Sequence, residues 1–91
     1  MIINVNSKPY RVDATSGESL REAIRQLDNF TRELKGLISL YEMQKVQEPG
    51  EATFFEGKIK DAKDTIKSNN STAEILKGML VKIGPQPGEL D

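Results

Sequence analysis

Two long stretches of the chain repeat the same apolar spacing: LREAIRQLDNFTRELKGLISLY at residues 20–41 and FEGKIKDAKDTIKSNNSTAEILKGMLVKI at residues 55–83. Apolar side chains recur in both at alternating steps of four and three, which is the spacing of the seam of a coiled coil. Residues 48–51 read EPGE between the two stretches, and proline with glycine ends a helix. The sequence therefore predicts a mainly α fold, a coiled-coil-like antiparallel two-helix hairpin.

One register pairs the two seams over their whole length. It places Tyr41 opposite Phe55 beside the turn and Leu20 opposite Leu76 at the far end. Because a single register satisfies every pair between these two ends, the two helices are predicted to pack along their whole length.

The first helix is predicted over residues 16–47. Either of two serines can cap it: Ser16 alone, or Ser19 together with Glu22 in a capping box. The helix is expected to end before Pro49, which cannot continue it.

The second helix is predicted over residues 52–83, with Gly84 as a left-handed cap. The polar run at residues 68–72 allows two alternatives, because such side chains compete for backbone hydrogen bonds. The helix either runs through with Asn69 in the seam or breaks near residues 69–70 and restarts. A polar residue in an apolar seam costs stability but can fix the register or the oligomeric state.

A short β-hairpin is predicted over residues 1–14, before the first helix. Apolar and polar residues alternate on both sides of Asn6-Ser7-Lys8-Pro9, a segment with the composition of a turn. A two-stranded hairpin is marginally stable alone in water. It is therefore expected to lie on the helices or to join another sheet edge.

The composition excludes several classes of function. The 91 residues predict one domain, with a flexible tail at 85–91, and they contain neither Cys nor His. The chain therefore lacks the commonest metal ligands, thiol nucleophiles and general bases, and we expect no catalytic residue, metal site or cofactor. Lys and Arg total 13 against 14 for Asp and Glu, a balance that argues against a general nucleic-acid binder.

The chain shows neither a long apolar segment nor the pattern of a signal peptide. No membrane association is expected, and the cytoplasm, of a cell or of an infected host, is the expected location.

Apolar residues beside the two seams widen the apolar face beyond what two helices need. The candidate interface with a second copy or a partner protein consists of Ala23, Phe30, Leu37, Phe54 and Met79. The alternative is a monomer in which the β-hairpin covers all of these residues.

Basic residues flank the seams and form a second candidate site. Its members are Arg21, Arg25, Arg32, Lys63 and Lys77. Brought together, they could bind a phosphate-bearing small ligand, because guanidinium groups make paired hydrogen bonds to phosphate. The alternative is a solvated charged face with intrahelical pairs such as Glu22 with Arg25.

The function predicted from these features is that of a small non-catalytic interaction protein, acting as an adaptor, an assembly chaperone or an inhibitor. It is expected to self-associate and to bind a protein partner through its apolar face. The alternative is an oligomer that sequesters an anion or a nucleotide with its basic flanks.

Overall fold

The structure, a computed structural model, describes residues 1–84, and the tail predicted at 85–91 lies outside the described residues. Two long antiparallel helices pack against each other after an N-terminal two-stranded hairpin, which confirms the predicted fold class. The elements are β1 (Ile2–Val5), β2 (Lys8–Arg11), α1 (Gly17–Gln47), a 3-10 turn (Pro49–Glu51) and α2 (Ala52–Ile83).

The turn of the β-hairpin is shorter than the sequence predicted. Only Asn6 and Ser7 form it, with φ values of 54° and 63°, the left-handed pair of a two-residue hairpin turn. Lys8 and Pro9 belong to β2 instead. Pro9 lies opposite Asn4, at a position where the backbone N–H groups point away from the neighbouring strand. The N–H group that proline lacks would therefore not have bonded to β1, and no hydrogen bond between the strands is lost.

Hydrogen bonds between side chains and the backbone fix the connection from β2 to α1. The Ser16 hydroxyl caps α1 by accepting from the Ser19 N–H at 3.2 Å, so Ser16 is the cap. The Ser19 hydroxyl accepts instead from the Asp13 N–H at 2.9 Å. The Asp13 carboxylate accepts from the N–H and the hydroxyl of Thr15, and these bonds lower the pKa of Asp13.

The second helix, α2, is continuous through its polar run. Asn69 is buried in the seam, and its side-chain Nδ2 donates to Thr31 Oγ1 at 3.2 Å. This bond satisfies a polar group that would otherwise be costly to bury. Gly84 ends the helix with a φ of 83°, and its N–H donates to the carbonyls of Leu80 and Val81.

The core is deepest at one end of the molecule. We call the part covered by the β-hairpin, residues 17–30 and 68–83, the hairpin end, and residues 31–67 the loop end. The largest fully buried side chains of the described residues are Leu20, Leu27 and Leu76 at the hairpin end and Val12, which directly follows β2. The buried residues of the loop end, such as Leu34 and Phe55, keep 7–8% of their surface exposed.

The aromatic rings beside the turn follow the predicted register. Tyr41 and Phe55 stack with their ring centroids 6.3 Å apart and an angle of 30° between the ring planes. Within residues 1–84, no third layer lies above the two helices at the loop end.

Candidate interaction surface

The β-hairpin covers only one half of the two-helix layer. Its turn residues Asn6 and Ser7 line an open cavity of about 570 Å³ together with Phe30 of α1 and Thr65 of α2. The hairpin therefore stops at the level of Phe30. Past this level α1 continues for about 25 Å and α2 for about 20 Å before the chain turns back, given a rise of 1.5 Å per residue.

Apolar side chains continue on this same face beyond the hairpin. Leu37 follows Phe30 by two helical turns, and Phe54 precedes Thr65 by three turns, so both project on the side of the layer where the hairpin lies. Leu37 is 41% exposed, Phe54 is 55% exposed, and Leu40 is exposed one turn beyond Leu37.

We define the loop-end surface as Phe30, Leu37, Leu40 and Phe54. Of these side chains Phe30 is half-buried, at the boundary with the hairpin turn, and the other three are exposed. The loop-end surface thus begins where the hairpin stops.

The Phe54 ring contacts side chains of its own helix although it is exposed. Its ring meets the ring of Phe55 edge to face, with centroids 5.4 Å apart, and Phe55 in turn stacks on Tyr41. The Lys58 Nζ lies 5.5 Å from the centroid of the Phe54 ring, within the range of a cation–π interaction. An aromatic side chain has few rotatable bonds, so it loses little conformational freedom when a partner covers it.

Two residues of the predicted apolar interface lie elsewhere. Ala23 is fully buried in the cluster formed with Ile3 and Val12, so its assignment to an accessible surface was wrong. Met79 is half-buried and packs against the same cluster at the hairpin end. Both residues lie on the same side of the two-helix layer as Phe30, in the half that the β-hairpin covers.

Sequence reasoning missed a stripe of apolar residues on α1. Leu40, Met43 and Val46 follow Leu37 at steps of three and are all exposed. Such steps drift round a helix by about 60° each, because 3.6 residues make a turn. Met43 and Val46 consequently lie on the outer side of α1, where they line a shallow cavity of about 460 Å³ with polar neighbours. In the sequence, this stripe is visible as apolar residues of α1 that lie outside the coiled-coil seam.

The predicted basic site is dispersed. Arg25 makes two hydrogen bonds to the Glu22 carboxylate, at 2.7 and 3.0 Å, which lower the pKa of Glu22 and raise that of Arg25. Lys77 lies 3.8 Å from a carboxylate oxygen of Glu74. Two of the five predicted cations therefore face an acidic side chain of their own helix.

The other three basic side chains occupy separate positions. Arg32 lines one cavity with Lys35 and Asn70, whereas Lys63 lines another with residues near the turn. Arg21 lies half-buried at the hairpin end. Each of the cavities described here is lined by at most one of the five residues, and the anion pocket stays a prediction.

The described part of the chain offers little else that carries chemistry. Within residues 1–84 no three acidic side chains lie together in a way that could hold a metal ion. Neither helix in this range is long and apolar enough to cross a membrane.

Comparisons with protein-family models, curated proteins and solved structures found no match to this chain. A functional hypothesis therefore depends on the chemistry of the surface.

Proposed function

We propose that this protein is a non-catalytic interaction protein, an adaptor, assembly chaperone or inhibitor, that self-associates and binds a protein partner. The observation that carries the proposal is the loop-end surface, an exposed apolar face on a two-helix layer. Among the described residues, a third layer covers only the other end of the helices. Exposed apolar groups that are contiguous rather than scattered are typical of interaction sites.

Covering the exposed apolar side chains of this surface favours association. Complete burial of a Leu or Phe side chain is worth about 1.5–3 kcal/mol. Leu37, Leu40 and Phe54 each keep about half of their surface exposed, so covering them contributes roughly 2–4 kcal/mol in total. A few side chains of this kind dominate the affinity of many interfaces.

Capture of a phosphate-bearing small ligand by the basic flanks has weaker support. Arg25 and Lys77 already face carboxylates, and Arg32 and Lys63 line different cavities. A ligand at Arg25 would compete with the Glu22 carboxylate, an exposed pair of a kind worth about 0–1 kcal/mol.

The test is the molar mass in solution, measured by size exclusion with light scattering, of the wild type and of Leu37→Gln/Phe54→Gln. Glutamine is a good helix former and leaves the net charge unchanged. We expect the wild type to be a dimer or larger, and the double variant to be a monomer with unchanged helical circular dichroism.

Val81→Gln is the matched control, because Val81 is 80% exposed on α2 but lies at the hairpin end. It should behave as the wild type, both in molar mass and in the proteins it retains in a pull-down. Loss of helicity in the double variant would instead identify Leu37 and Phe54 as core residues. A monomeric wild type would remove self-association from the proposal.

A further inference from the structure

We propose that the loop-end surface is covered by a second copy of this chain in an overlapping two-fold dimer. Each copy lays its loop end on that of the other, so that the β-hairpin turn of one meets the interhelical turn of its mate. This inference rests on the proposed function and specifies its self-association.

The β-hairpin forms a step on the helical layer. It packs on the hairpin end and stops beside Phe30, where the face drops to the bare helices. A sheet or a second layer of helices adds about 10 Å of thickness in either case. Two helices laid on the loop end therefore lie level with the hairpin and abut its turn at Asn6 and Ser7.

The loop end of a second copy supplies the two helices that fit beside the β-hairpin turn, and in a two-fold dimer each copy does this for the other. A two-fold axis that crosses the helices near Leu40 places the loop end of each copy on that of the other, with α1 antiparallel to its symmetry mate. The turn at Pro49–Glu51 of one copy then reaches the step beside Phe30 of the other. Both steps are filled by the same operation, and the arrangement closes as a dimer, as two-fold interfaces do.

The residues on the face of α1 suit such a contact. Residues 37, 40 and 44 lie on this face and are Leu, Leu and Gln, so this stretch of α1 presents no charge. Depletion of charge is typical of the centre of protein interfaces. The net charge of −1 at pH 7 also means that two copies repel each other little.

The area is adequate for a specific dimer. Covering the facing sides of two helices over about 25 Å removes roughly 600 Å² per copy, or about 1,200 Å² in total, given a helix diameter of 10–12 Å. Specific interfaces begin at about 1,200 Å². The dimer is therefore expected to be reversible on dilution.

The experiment uses Ser7→Cys/Gly50→Cys, made in the full chain, which has no cysteine of its own. A side chain at Gly50 meets nothing within 4 Å. The two positions lie about 25 Å apart along one copy, at 1.5 Å per residue, so they cannot be linked within a chain. We expect mild oxidation or a short bismaleimide to give a closed covalent dimer, with a link from position 7 to position 50.

Each single-cysteine variant is a matched control and should remain uncrosslinked. In the proposed dimer the two copies of position 7 lie at opposite ends, and so do the two copies of position 50. Adding Leu37→Gln/Phe54→Gln to the double-cysteine variant should reduce crosslinking by more than about tenfold, the ratio that corresponds to 1.4 kcal/mol.

Three outcomes would overturn the inference. A dimer by light scattering without the 7–50 link leaves the proposed function in place but rejects this geometry. A ladder of larger covalent species indicates an open, head-to-tail contact. A monomeric chain that binds a different protein through the loop-end surface means that the second copy is the wrong occupant.

Discussion

At the scale of single residues, the hydrogen bond between Asn69 and Thr31 is the most unusual contact of the seam. Both side chains are buried, and the bond crosses between the helices at the level where the β-hairpin stops. Asn69 lines the cavity beside the hairpin turn, and Thr31 lines a cavity with Arg32 and Lys35. A polar pair at this position favours the one register in which the two groups meet.

Thr31→Val should destabilise the protein by about 1–3 kcal/mol, because it leaves the buried Asn69 amide without its partner. Thr31→Val/Asn69→Leu should recover most of that loss, since both polar groups are then absent. Urea unfolding of the three proteins, followed by circular dichroism, measures the difference. A double variant less stable than Thr31→Val would show that the amide has another partner, such as water in the adjoining cavity.

At the scale of elements, local sequence signals were sufficient to predict the two helices and the hairpin. Ser16, Pro49 and Gly84 mark helix ends by chemistry that acts within a few residues, and the observed ends agree with them. The seam spacing set the register, which the stacking of Tyr41 on Phe55 confirms.

The part of the candidate site that could not be predicted is the reach of the β-hairpin. Ala23 and Leu37 lie on one face of α1 and are equivalent by helical periodicity. Only the tertiary placement of Ile3 and Val12 distinguishes them, because it buries Ala23 and leaves Leu37 exposed. That placement depends on the connection at residues 12–16, whose hydrogen bonds are not readable from periodicity.

The two ends of the helical layer should differ in their response to truncation of the core. Leu27 is 1% exposed beneath the hairpin, and Leu34, two turns further along the same seam, is 8% exposed. We expect Leu27→Ala to cost about 3–5 kcal/mol and Leu34→Ala about 2–3 kcal/mol, the ends of the range for such substitutions. Unfolding of both variants at low protein concentration tests this, and equal losses would mean that the hairpin contributes no additional packing.

At the scale of the whole molecule, the shape is elongated and its two ends are unequal. The radius of gyration is 16.8 Å and the extents are 56 × 27 × 16 Å. A compact chain of this length has a radius of gyration of about 12 Å. The additional length is the loop end, where two helices extend past the third layer and leave more of their backbone and apolar surface close to water. Local opening is expected to be easiest there, because low contact density allows it.

If a second copy covers the loop end, amide exchange there should depend on protein concentration. Opening of the loop end in the free monomer exposes its amides, and when most chains are dimeric the monomer fraction falls with the square root of concentration. Exchange over residues 34–47 and 52–62 should then slow about threefold for each tenfold rise in concentration, by the same mass action. Amides near Leu20 and Leu76 serve as an internal comparison, because they open mainly by unfolding of the hairpin end. In the variant Leu37→Gln/Phe54→Gln, the loop-end amides should exchange at one rate at all protein concentrations. Loop-end exchange that is independent of concentration in the wild type would mean that this face stays uncovered in solution, and hydrogen exchange measured by mass spectrometry distinguishes the two cases.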